Sequence, residues 1–227
     1  MTKNLCIIPA RGGSKRIPRK NIKSFLGKPI ISYSIEAALE TGIFEEVMVS
    51  TEDEEIADVA KNYGAKVPFF RSYKNADDYA TTVDVLLEVI QQYDKLDRSF
   101  DNICCIYPTA PFATKEKLEQ AYRKLDSKNF DAIFPVLEYS YPIQRALKLK
   151  ESKISLFYPE NETKRSQDFE NSYHDSGQFY FLKTNRFLKN RTVFTKNSGA
   201  IILSELEAQD IDNEIDWKLA EMKYELL

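Results

Sequence analysis

The sequence predicts an α/β fold, a mainly parallel sheet flanked by helices within one domain spanning residues 1–227. Strand-like apolar runs alternate with helix-like segments, those runs are apolar almost throughout, and a basic turn with two glycines follows the first of them. Alternation of this kind argues for parallel pairing through helical crossovers. Continuous apolarity argues for strands covered on both faces.

The first run, "NLCIIPA", ends at Pro9 or Ala10. "PIISYSIEAALETG" then places apolar residues at helical spacing and stops at Gly42. "EEVMVST" reads as a strand, "DEEIADVAKNYG" as a helix stopped by Gly64, and "AKVPFF" as a further strand. "TTVDVLLEVIQQYDKL" is helical, "NICCIYP" a strand, "TKEKLEQAYRKLDS" a helix and "DAIFPVLE" a strand. Between Glu138 and Gln178 the rhythm breaks into short alternating runs rich in Tyr and turn residues, which reads as an antiparallel excursion inserted in the domain. "FYFLKTNRFLKN", "SGAIILS" and a closing helix "EIDWKLAEMKYELL" restore the α/β pattern.

At 227 residues and 43% hydrophobic, the chain can bury a sizeable core. No apolar run approaches the roughly 20 residues a membrane-spanning helix requires, and the apolar start is too short for a signal peptide. A cytoplasmic protein without membrane association is expected. Cys6, Cys104 and Cys105 lie in strand-like runs with no zinc or disulfide spacing and read as reduced core residues.

Charge is concentrated. Met1 to Ile35 holds eight of the 32 Lys/Arg and none of the 35 Asp/Glu, in a chain of net charge −3. A nucleic-acid surface would need a much larger basic area, so a small polyanion is the better partner. The turn "RGGSKRIPRKN" follows the first strand, where the carboxyl ends of a Rossmann-like sheet receive phosphates. Gly12, Gly13 and Ser14 let the backbone come close to a ligand, and Arg11, Lys15, Arg16, Arg19 and Lys20 supply charge. The spacing fits neither the Walker A nor the Gly-x-Gly-x-x-Gly pattern. Read on charge alone, the same residues would make a solvated surface loop.

"IIPARGGSKRIPRKNIKSFLGKPII", "VMVSTEDEEIADVAKNYGAKVPFFR", "IYPTAPF", "RSQD" and "DIDNEIDW" occur in this order over nearly the whole chain. They closely resemble the motifs of the sugar-acid cytidylyltransferases, the CMP-sialic acid synthetase family. That resemblance implies a sheet of the nucleotide-diphospho-sugar transferase type and attack by the anomeric hydroxyl of a nine-carbon 2-keto sugar acid on the α-phosphorus of CTP. "YPIQRAL" and "YHDSGQFYF" most resemble the branch that uses pseudaminic acid. Legionaminic, N-acetylneuraminic or 3-deoxy-octulosonic acid are the alternatives, and a non-catalytic nucleotide- or sugar-binding regulator is a rival of another class.

By this resemblance Arg11, Ser14 and Lys15 grip the triphosphate and Lys20 steadies the departing pyrophosphate. Ala10, Gly13 and Asn21 contact the nucleotide, and Arg71, Ala80 and Thr82 occupy the cytidine-contact segment. Without the resemblance, Arg71 reads equally well as a surface partner of Asp77 or Asp78. Asp210 and Asp212, two apart, are candidate ligands of Mg²⁺ shared with phosphate. They read alternatively as an acidic helix start in which Asp212 caps and Asp216 faces the dipole.

Tyr107 stands where sialic acid members have Gln, which points away from N-acetylneuraminic acid. By the same resemblance Thr109 is expected near the sugar and phosphate path. Gln144, Arg145, Arg165 and Gln167 in the excursion are candidates for the sugar acid's carboxylate and hydroxyls. Phe179 and Tyr180 would wall the sugar pocket or simply pack in the core. His174, with Asp175 beside it, has the form of a general base, although the family mechanism requires none. A homodimer formed through the excursion is expected from the resemblance.

Overall fold

Side chains of strand β1 (Asn4–Pro9) alternate between two cores, Cys6 and Ile8 entering one and Leu5 and Ile7 the other, and all four are fully buried. Burial on both faces is why the run shows no polar alternation. The computed structural model describes residues 2–227. Behind β1 the basic turn passes through a short hairpin, β2 (Ser24–Phe25) and β3 (Lys28–Pro29), into helix α1 (Ile30–Thr41). Strand β4 (Glu46–Ser50), helices α2 (Glu54–Asn62) and α3 (Thr82–Asp94), strand β5 (Asn102–Ile106), helix α4 (Lys115–Ser127) and strand β6 (Ala132–Glu138) follow. The excursion holds β7 (Leu147–Lys150) and β8 (Lys153–Leu156). The chain then continues through β9 (Tyr173–Asp175), β10 (Phe179–Lys183), α5 (Thr184–Asn190), β11 (Ser198–Leu203) and α6 (Glu214–Glu225).

The central sheet runs β11-β6-β10-β5-β1-β4, with β9 also paired to β6. β1 is parallel to β4 and β5, and β6 is parallel to β11, as alternation with helices requires. β10 is antiparallel to both β5 and β6 because it continues in the direction of β9, itself antiparallel to β6, through a kink with Gly177 at φ 64°, instead of being entered by a helical crossover. "AKVPFF" does not form the strand expected of it. Only Lys66 bridges to Met48, and Pro68, lacking an N–H, cannot extend a ladder.

Helices α1, α2 and α4 cover one face through Ile31, Ile35, Ile56, Ala60, Leu118 and Ala121, while α3 and α5 cover the other through Leu86, Val89, Tyr93 and Phe187. Cys6, Cys104 and Cys105 are free thiols buried in these cores, and burial pushes Cys105 up to about 12. A third cluster seats Trp217 of α6 edge-on against Phe25 of the hairpin at 5.7 Å. This contact carries the acidic segment ahead of α6 to the basic turn. From β1 the chain first crosses to β4 on one side and later returns as β5 on the other, so the crevice at their carboxyl ends lies at a reversal of strand order. Among the described residues, no helix is long and apolar enough to cross a membrane.

Candidate active site

The turn behind β1 is built by its acidic neighbours. The Ala10 N–H donates to the Ser50 carbonyl at 2.9 Å, and the Gly12 N–H donates to Glu52 Oε1 at 2.7 Å. A Cβ on Gly12 would lie 2.6 Å from Asp53 Oδ2, so no larger residue fits without moving the carboxylate. Gly13 is exposed, and buried Asn21 donates from Nδ2 to the Arg11 carbonyl at 2.8 Å, tying the end of the turn to its start. Arg19, at φ 55°, donates to both Asp53 oxygens at 2.5 and 2.9 Å and to Glu55 at 2.5 Å. The Arg19 hydrogen bond holds the Asp53 carboxyl down to about 2. Arg19 is therefore an anchor of the loop.

The remaining cations line up differently. Arg11 donates to Asp78 Oδ1 and to the Asp77 carbonyl, each at 2.8 Å, and Lys15 pairs with the same Asp78 carboxylate. Arg16 pairs with Asp212 at 2.7 Å, and Lys20 Nζ donates to the Ile211 carbonyl at 2.8 Å. Burial lowers the Lys20 pKa against the opposing pull of Asp212 and Asp210. The two ends of the chain thus meet at one place. A cavity of about 200 Å³ there is lined by Arg11, Ser14, Lys15, Lys20 and Asn21 together with Tyr107 and Thr109. A larger cavity of about 770 Å³ opens at the amino end of β5, but its cations Arg98 and Lys183 are engaged by Glu45, Glu46 and Asn129.

Arg71 is buried, donating to Ser50 Oγ at 3.0 Å and to the Ser50 carbonyl at 2.5 Å, and burial lowers its pKa. The surface pairing with Asp77 or Asp78 does not form. The Ala80 N–H donates to Asp77 Oδ1 at 2.8 Å, and the Thr82 hydroxyl bonds the Tyr107 hydroxyl at 2.8 Å. Burial pushes the Tyr107 phenol up to about 12. Phe179 belongs to the main core and is fully buried, whereas the Tyr180 ring meets Tyr107 edge to face at 5.8 Å.

In the acidic segment Asn213, not Asp212, caps α6. Asp216 completes the capping box and also accepts from the Asp212 N–H at 2.9 Å. Asp216 is thus structural, and the Asp212 carboxylate is left to Arg16. Desolvation and then the neighbouring Asp212 push the Asp210 carboxyl up, a strain that a shared cation would relieve. Among the described residues, no group of three or more His, Cys, Asp or Glu is placed to hold a metal ion. Asp210 and Asp212 are two oxygen donors beside a phosphate-sized basic cavity, which fits Mg²⁺, an ion that takes one or two carboxylates and completes its shell with phosphate and water.

Gln144, Arg145, Arg165 and Gln167 do not line the cavity of the basic turn. Gln144 donates to the Glu170 carbonyl at 3.1 Å, Arg145 to the Glu162 carbonyl at 3.2 Å, and Arg165 pairs with Asp168 at 3.0 Å. His174 is exposed and lies tilted against Tyr139 with ring centroids 4.9 Å apart. The Asp175 carboxylate turns away from it to accept from Tyr180. Asp53 is a contributor that sequence reasoning passed over, whereas Asp78 and Asp175 were weighed there only as partners of Arg71 and His174 and act instead on Arg11, Lys15 and Tyr180. The run "TEDEE" behind β4 and the pair "DD" at 77–78 were the available signals, as countercharges to a turn that holds none.

A glycine turn bearing cations at the carboxyl edge of a mainly parallel sheet, closed by carboxylates from the far end of the chain, defines a nucleotidyltransferase-type α/β enzyme. Residues 5–218 match the cytidylyltransferase family model, and the chain belongs to that family. It is 46% identical over 225 residues, 99% of this chain and 97% of the relative, to a pseudaminic acid cytidylyltransferase of Campylobacter jejuni. It is 33% identical to a CMP-N,N'-diacetyllegionaminic acid synthase of Legionella pneumophila, covering 98% of this chain and 96% of that one. Its fold matches a solved CMP:2-keto-3-deoxy-manno-octonic acid synthetase complexed with CTP at a TM-score of 0.71, 16% identity and full coverage of both chains.

Proposed function

We propose that this chain transfers CMP from CTP to the anomeric hydroxyl of pseudaminic acid, a nine-carbon 2-keto sugar acid. The anomeric oxygen bonds to the α-phosphorus as the bond to the bridging β-phosphate oxygen breaks. Pyrophosphate leaves, and the hydroxyl proton passes to solvent. The observation that carries this reading is the cavity joining Arg11, Ser14, Lys15 and Lys20 to Tyr107 and Thr109, a row of cations leading to a polar-aromatic wall. The 46% identity to the Campylobacter jejuni relative supports pseudaminic acid as the acceptor.

Such a transfer needs position and charge more than covalent help. Arg11, Ser14 and Lys15 would hold the β- and γ-phosphates, and Lys20 the charge that grows on the leaving pyrophosphate. Gly13 and Ala10 let backbone approach the nucleotide, and Asn21 contributes by fixing the Arg11 carbonyl. Arg71, Ala80 and Thr82 would face the cytidine. Tyr107, Thr109 and Tyr180 would face the sugar acid, and Phe179 supports them from the core. Gln144, Arg145, Arg165 and Gln167 lie on the excursion, through which two copies would form a cytoplasmic homodimer and complete each other's sugar site. Asp210 and Asp212 would hold Mg²⁺, which when bound would polarise the α-phosphate.

The test is turnover with CTP, Mg²⁺ and a panel of pseudaminic, legionaminic, N-acetylneuraminic and 3-deoxy-octulosonic acids, read as pyrophosphate release and CMP-sugar formation. Pseudaminic acid is expected to have the highest kcat/KM. A higher value for another acid would reassign the acceptor, and binding of CTP without product would reject the enzyme.

A further inference from the structure

We infer that Asp175 is a positioning residue for the sugar-acid site, acting through the Tyr180 phenol to hold the Tyr107 wall in place. The inference rests on the function proposed above. Four separate elements meet in one row. Asp175 ends β9, Tyr180 lies on β10, Tyr107 follows β5, and Thr82 begins α3. Tyr180, 4% exposed, donates its hydroxyl to Asp175 and sets its ring against that of Tyr107. The Tyr107 hydroxyl bonds Thr82 at 2.8 Å, and Tyr107 lines the cavity of the basic turn.

The carboxylate is committed twice. Its Oδ2 takes the Tyr180 hydroxyl, and its Oδ1 accepts from the Gly177 N–H at 2.9 Å, closing the kink through which the chain passes from β9 into β10, both antiparallel to β6. A phenylalanine at position 180 would fill the same core space without needing a carboxylate. Pairing a buried phenol with a partly buried acid therefore costs desolvation that packing does not require. What the pairing adds is a fixed ring direction where the core meets the cavity. Further polar capacity lies alongside: Ser176 Oγ and Gln178 Oε1 are buried without partners in the same kink. Asp175 and Ser176 also line a second cavity with Asp210, so the kink stands between the phenol row and the acidic segment.

The experiment compares Asp175→Ala, Asp175→Asn, Tyr180→Phe and the Asp175→Ala/Tyr180→Phe double variant. Each is read for sugar-acid KM, kcat, CTP Kd by calorimetry, and Tm. Asn keeps an oxygen for the Gly177 N–H and an amide N–H that the phenol oxygen can accept, and Ala keeps neither. Asp175→Ala and Tyr180→Phe are expected to raise the sugar-acid KM about tenfold, the scale of one buried hydrogen bond. CTP Kd should stay within about twofold, Asp175→Asn should recover most of the loss, and the double variant should be no worse than either single one. An unchanged sugar-acid KM, or CTP affinity falling in step with Tm, would overturn the inference while leaving the function intact. Absence of wild-type turnover on every sugar acid would instead reject the function and this inference with it.

Discussion

Asp78 holds the two cations, Arg11 and Lys15, that the proposed triphosphate would use. An exposed carboxylate is a weak partner, and a polyanion carrying more charge at the same spot would displace it. Asp78→Asn is therefore expected to lower the KM for CTP severalfold with kcat unchanged, measured by pyrophosphate release at low ionic strength. A KM that holds or rises would show that Asp78 orders the loop instead of competing for it. Lys20 differs from those two cations in being half-buried and tied to the Ile211 carbonyl, so its charge is less screened by water. Lys20→Ala should reduce kcat by about a hundredfold, the usual effect of deleting one preorganised charge contact, while Tm changes little. A loss seen only in KM would place Lys20 in ground-state binding. The cations themselves were legible in the sequence as a run without acids. Their division into a loop anchor (Arg19) and cavity-lining cations (Arg11, Lys15, Arg16 and Lys20) was not, because it depends on Asp53, Asp78 and Asp212, which are 34, 63 and 196 residues away from Arg19, Lys15 and Arg16.

At the scale of elements, the β4–α2 connection does two jobs with one residue. Asp53 caps α2, accepting from the Ile56 N–H at 3.0 Å, and the same carboxylate grips Arg19. Its folded pKa of about 2 lies below the value of 3.8 for a free carboxyl. The unfolded chain therefore binds the extra proton first as pH falls, and the stabilisation is full above about pH 4 and lost toward pH 2. Urea midpoints measured from pH 6 to pH 2 should fall less steeply for Asp53→Asn than for the wild type, and parallel curves would mean that the pair contributes nothing. The elements themselves followed from local pattern. Helices α1 to α4 and α6 stand where apolar spacing puts them, with Gly42 and Gly64 just past the ends of α1 and α2, because burial of one face decides both pattern and place. "AKVPFF" failed for a local reason, Pro68, that outweighs its apolarity. The reversed direction of β10 was invisible because a strand's direction depends on the length and turn of its connection, and the excursion's tertiary path is not written in periodicity.

The whole molecule leaves one surface unexplained by its own packing. β7 and β8 pair only with each other, outside the central sheet, and cross-strand pairs Leu147–Leu156 and Leu149–Ile154 put four aliphatic side chains on one face of the ribbon. Leu149 is 71% and Ile154 67% exposed, while Lys148, Lys150 and Lys153 occupy the opposite face. A lone two-stranded ribbon is marginal in water, and an apolar face of this kind gains stability only when something covers it. A second copy of the same ribbon offers a self-complementary cover, which is how closed two-fold interfaces form. It would also bring Arg145 and Arg165, which lie outside the cavity of the basic turn in their own chain, toward a partner's sugar site. Sedimentation should find the wild type dimeric at micromolar concentration and Leu149→Glu/Ile154→Glu monomeric. In that variant, sugar-acid KM should rise much more than CTP Kd, because the basic turn, Lys20 and the acidic segment are assembled within one chain. A monomeric wild type would remove the ribbon as an interface. A monomeric variant with unaltered sugar-acid KM would keep the interface but confine the whole acceptor site to a single subunit.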